Sequence, residues 1–90
     1  MSKFEKATKV TELIVGVVYT LCQIRSRVSS PSEKVETQKK VTVESVKDVG
    51  VTAHVRVNDG ENSRLLTLDK SGVGFHRRHY RKDIYWLEES

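Results

Sequence analysis

The chain has one cysteine, one proline, one methionine, one tryptophan and five glycines in 90 residues. With a single thiol, Cys22 has no partner for an internal disulfide, which removes the disulfide-stapled secreted class and fits a reducing cytosol. The scarcity of glycine and proline removes collagen-like and low-complexity classes. No apolar run is long enough to cross a bilayer: the longest, Leu13 to Tyr19, falls well short of the roughly 20 residues a spanning helix needs. Lys3, Glu5, Lys6, Lys9 and Glu12 interrupt any signal-peptide core, so the expected location is cytoplasmic, with no membrane partner. Gly72 and Gly74 are not followed by the Lys-Ser/Thr pair of a phosphate-binding loop. A long basic amphipathic helix is also missing.

What remains is 37% hydrophobic and 31% charged, a globular balance sufficient for one modest core. The hydrophobic part is rich in valine, whose branched Cβ suits a half-buried pleated surface. An all-β domain over residues 13–90 is expected, preceded by an arm or short helix over 1–12, where Phe4, Ala7 and Val10 recur every third residue.

Taken in order, residues after Gly16 alternate as a strand. Val18, Cys22, Ile24 and Val28 are placed on its inner face, with Thr20 and Ser26 tolerated there. Tyr19, Gln23, Arg25 and Arg27 fall on its outer face. Ser29 to Lys34, containing Pro31, reads as a loop because proline donates nothing to a ladder. Val41, Val43 and then Val46 line one side of a central hairpin that turns at Lys47 to Gly50. On its return strand, Val51, Ala53, Val55 and Val57 alternate with Thr52, His54, Arg56 and Asn58, the pattern of one buried and one wet face. Further turns are expected at Asn58 to Ser63 and at Asp69 to Gly74, around a short strand Leu65 to Leu68, and Ile84 to Leu87 completes the set.

Five short strands with turns at this spacing predict a five-stranded antiparallel barrel. The succession Val15-Gly16-Val17-Val18-Tyr19, long loop, Val41 to Val46, turn, Val51 to Val55, turn, Leu65 to Leu68, turn, Ile84 to Leu87 resembles an SH3-like small barrel of the Tudor and KOW kind. The resemblance implies the fold and leaves the activity open.

For catalysis the chain offers little. Cys22 alternates with apolar neighbours and reads as a small core residue, and nothing beside it in sequence supplies a base. His76 and His79 are three apart and His54 could join them, yet no cysteine pair accompanies them, so neither a metal nor a cofactor is expected. The chain is not expected to be an enzyme. The one local concentration of charge is Arg77, Arg78, Arg81 and Lys82, which together equal the formal net charge of +4. With His79 and Tyr80 they make a candidate nucleic-acid-binding turn, Phe75 and Trp86 being expected to anchor it in the core. Arginine forks bind phosphate bidentately and stack on bases, and a tyrosine ring offers a platform. Arg25, Arg27, His54, Arg56 and Arg64 form a candidate secondary patch. The expected partner is RNA or DNA. The competing expectation is an inhibitor or interaction module that docks an acidic protein surface, through the same arginines or by strand addition at an edge over Val35 to Val46.

Overall fold

The structure, a computed structural model, describes residues 6–27, 30–78 and 81–90, and for residues 30–33 and 78 the backbone alone. The described chain is all-β apart from one 3-10 turn, Val10–Glu12. Its strands are β1 (Val18–Arg27), β2 (Ser30–Asp48), β3 (Thr52–Asn58), β4 (Ser63–Asp69), β5 (Val73–Arg78) and β6 (Arg81–Glu89). All pair antiparallel in one sheet of order β4-β3-β2-β1-β6-β5.

This corrects the expectation of a five-stranded closed barrel: there are six strands in an open sheet. The extra strand is β5, whose basic residues read as a turn. The sheet curls until its two outermost strands meet, but a ring stands where a closing ladder would form. The Tyr85 hydroxyl donates to Thr67 O at 3.2 Å and accepts from Thr67 N–H at 3.4 Å, occupying the β4 backbone groups that a neighbouring strand would use. Gly74 makes the approach possible. A Cβ there would lie 2.1 Å from Tyr85 Cε1 and 2.6 Å from Thr67 O.

The face enclosed by the curl carries the main core: Tyr19 and Leu21 of β1, Val41 and Val43 of β2, Ala53, Val55 and Val57 of β3, Leu66 and Leu68 of β4, and Tyr85 and Leu87 of β6. Leu66, Leu68, Leu87, Val43, Val55 and Val57 are fully buried, each stabilising by about 1.5–3 kcal/mol relative to exposure. The alternation expected over Val41, Val43 and Val46 and over Ala53, Val55 and Val57 is present. Its shift of phase after Val43 is a bulge at Glu44, since Val43 pairs with Val57 while Ser45 pairs with Arg56. Val51 departs from the pattern, standing 86% exposed in the turn between β2 and β3.

The faces of β1 are assigned the other way round from the expectation. Tyr19 and Gln23 belong to the enclosed face, while Cys22 and Ile24 join Val73 and Trp86 in a smaller cluster on the outer face. Trp86 is therefore buried, but outside the main core. Phe75 is not an anchor at all: it is 60% exposed. The 3-10 turn lays Val10 against the main core, and Ala7 covers the outer cluster. Thr8 N–H donates to Leu87 O at 2.7 Å, and Thr8 O passes so near Gly72 that a Cβ there would approach it to 2.1 Å.

The predicted loop over Ser29–Lys34 is corrected as well, because β2 begins at Ser30. Its ladder to β1 jumps from Ser26↔Lys34 to Arg27↔Ser30, so Pro31 falls in the irregular step where no ladder bond is asked of it. The other turns share one device, a side-chain oxygen accepting backbone N–H groups. Asp48 Oδ1 takes Gly50 N–H at 2.9 Å, Asn58 Oδ1 takes Gly60 N–H at 2.7 Å, and Asp69 Oδ1 takes Ser71 N–H at 2.9 Å. Among the described residues no helix is long and apolar enough to cross a membrane.

Candidate nucleic-acid interface

Beyond the main core, β1 and β6 run on together, flanked by the first part of β2 and by β5. Because alternate residues share a face, the register sets out the enclosed side in rows. Leu21 stands beside Leu87; the next row is Thr37, Gln23, Tyr85 and Gly74; then Val35, Arg25, Asp83 and His76; and last Arg27, Arg81 and the backbone position of Arg78. Side chains thus pass from apolar through polar to cationic along one surface. Arg25, Ser26, Arg27, Val35 and Arg81 line a concavity of about 370 Å³ at its cationic end.

The electrostatics of this end are unbalanced. Arg27 and Arg81 are direct cross-strand partners, an arrangement that repels. Among the described residues neither has an ion pair. The nearest acid in the row above, Asp83, lies 4.0 Å from Arg25 Nε, too long for a hydrogen bond. Asp83 Oδ1 is shielded from solvent and has no hydrogen-bond partner.

Arg64 reaches the same surface from β4. Its Nη1 donates to Gln23 Oε1 at 3.2 Å, and its guanidinium carbon lies 5.6 Å from the centre of the Tyr85 ring, within range of a cation–π attraction. Gln23 is buried, and its Nε2 has no hydrogen-bond partner.

The expected site residues are therefore divided. Arg25, Arg27 and Arg81 come together around one concavity on the enclosed side, although Arg25 and Arg27 were expected outward, and Arg64 reaches the adjoining row at Gln23 and Tyr85. Arg77 and Lys82 are partners in the next row of the ladder and belong by alternation to the outer face. The proposed exposed turn is thus the end of a β-hairpin, with its cations shared between two faces. His54 and Arg56 alternate with buried Ala53, Val55 and Val57, which sets them on the outer side of β3, apart from the arginines. His79 and Tyr80 lie outside the described residues.

Val35, Gln23 and Asp83 were not expected in the site. One signal for Gln23 is available in the sequence, a polar residue two positions after Leu21 and four after Tyr19 on an otherwise apolar alternation. Nothing local marks Val35 or Asp83, which enter through pairing across strands.

Elsewhere, burial pushes the Cys22 thiol up to about 12, assisted by Glu88, so it is neutral and unreactive at ordinary pH. Among the described residues no group of three or more His, Cys, Asp or Glu side chains is placed to hold a metal ion. The chain matches no family model, no curated protein and no solved structure.

Proposed function

We propose that the chain is a non-enzymatic nucleic-acid-binding protein that seats phosphates on Arg25, Arg27, Arg64 and Arg81. The observation that carries this reading is the juxtaposition of Arg27 and Arg81 across β1 and β6, with no ion pair to either among the described residues. Placing like charges face to face costs stability, and an anion shared between two guanidinium forks reverses the sign of that cost. Arg77 and Lys82, on the other face, extend the positive field and contribute to attraction at longer range.

The test is a salt titration of oligonucleotide binding by the wild type, R27E/R81E and R77E/K82E, with circular dichroism to confirm folding. Three to four phosphate contacts on a single strand give a slope of log K against log salt of about −2 to −3. R27E/R81E is expected to abolish retention, and R77E/K82E to weaken it by less. Unchanged binding by folded R27E/R81E refutes the assignment.

The second reading, docking to an acidic protein surface, is favoured by one feature, the outer edge of β5. That edge strand meets β4 at Gly74, and next to the seam it carries exposed Phe75 beside Arg77, a combination suited to strand addition. The edge expected over Val35 to Val46 is open only in part, since β2 pairs with β1 as far as Thr42 and with β3 from Thr42 onward. Capture of a defined partner that survives nuclease treatment and is lost in a Phe75→Lys variant would favour this reading over the first.

A further inference from the structure

We infer that the enclosed face takes single-stranded nucleic acid, RNA or DNA, with an unpaired nucleotide entering the concavity; the inference rests on the nucleic-acid reading above and specifies its ligand.

The first argument is shape. Arg25, Arg27 and Arg81 line a hollow, and its volume of about 370 Å³ lies at the small end of the range for ligand sites, roughly 300–1,000 Å³. A duplex carries its phosphates on the outside of a stiff cylinder, a poor match for a recessed set of guanidinium groups. A single strand turns freely about its backbone and can follow the recess.

The second argument is composition. Val35 is exposed, lines the hollow and is the register partner of Arg25. A site for phosphate alone gains nothing from an apolar side chain among its cations. A base gains a dry surface there, bordered by guanidinium planes on which it can stack.

The third argument is the pair of unsatisfied polar atoms one step further in. Gln23 Nε2 is a donor without an acceptor and Asp83 Oδ1 an acceptor without a hydrogen-bonded donor. They belong to adjacent rows on neighbouring strands, since Gln23 pairs with Tyr85 and Arg25 with Asp83. Leaving such groups buried and unmade is costly, and together they complement an edge that offers an acceptor next to a donor. The Watson–Crick edge of every base has that pattern, and only an unpaired base leaves it free. The exposed Arg64 side chain rests on Gln23 and Tyr85. Drawing it outward onto a phosphate would uncover Gln23, so backbone binding and base binding are coupled through one residue.

The experiment is fluorescence anisotropy with labelled 12-nucleotide DNA and RNA strands, the corresponding 12-base-pair DNA duplex, and unlabelled inorganic polyphosphate as competitor. The expected result is binding of both single strands at least tenfold tighter than the duplex. Q23L is expected to reduce single-strand affinity about fivefold or more while leaving the inhibition constant of polyphosphate unaltered. Duplex binding as tight as single-strand binding overturns the inference and leaves the nucleic-acid reading standing. Absence of binding to all three nucleic acids overturns both. The wild-type comparison decides the matter even if a variant fails to fold.

Discussion

Replacing Gly74 with alanine tests the curl of the sheet directly. Gly74 does not have a positive φ, so alanine suits its backbone, and the unfolded chain loses freedom in a way that favours folding by about 0.4–1 kcal/mol. Against this stands the new methyl group, 2.1 Å from Tyr85 Cε1 and 2.6 Å from Thr67 O. One neighbour is a ring packed in the main core and the other is backbone, so neither can give way as a flexible chain end would. The overpacking cost is set at the upper part of the usual range, about 3 kcal/mol. The net loss is then about 2–2.5 kcal/mol, and for a domain of this size it lowers the melting temperature by about 8–20 °C. Thermal unfolding followed by circular dichroism measures it. A Y85L/G74A double variant should be less destabilised than the sum of the single changes, because removing the ring removes one of the two clashes. A fall of less than about 3 °C in G74A would show that β4 and β5 do not lie against one another, and the reasoning about the seam would fail.

The Cys22 thiol, raised to about 12 by burial, should be about 10⁻⁴ ionised at pH 8; iodoacetamide is expected to label it only in urea, and prompt labelling of the native protein would contradict its burial. In acid the direction follows from the turns. Asp59 is held well below its ordinary 3.8 by Lys39 and by the backbone N–H groups of Asn62 and Glu61. Asp48 is lowered by Lys70 and Gly50 N–H. Asp69 is lowered despite burial, by bonds from Ser71 and Val73. Their folded pKa values are below the unfolded ones, so their contribution is present above about pH 4 and lost as pH falls through the folded values. The urea midpoint should be level from pH 7 to 5 and drop below 4, less steeply in D59N; a midpoint that rises on acidification would refute the assignment.

Where one face is buried and the other wet, alternation alone located the strand, as with Ala53, Val55 and Val57. It misassigned β1 because both faces of that strand are covered: Leu21 and Cys22 are each buried, one against the main core and the other against Trp86. Periodicity cannot rank two buried faces. Residues 73–78 did not read as a strand because their basic side chains and the adjacent glycines imitate a turn, and the backbone pairing that makes them β5 is supplied by β6. Pro31 misled for the opposite reason, since an irregular register accommodates it within β2. The arginines were visible as residues, but their assembly was not. Arg27 meets Arg81 through the β1–β6 ladder, a long-range pairing that no local pattern reports.

The place of β6 also bears on how the chain reaches this structure. It is the last strand in the sequence, yet it lies between β1 and β5, with Tyr19 beside Glu89. During synthesis from the amino end, the meander of β1 to β4 emerges first and carries an unmatched β1 edge until β6 arrives. Tyr19 and Leu21 meanwhile lack Tyr85 and Leu87. Completion waits on closure of a loop spanning most of the sequence, which places folding toward the slow end for small domains, on the order of milliseconds to seconds. In that interval the nascent sheet is most open to pairing with another chain.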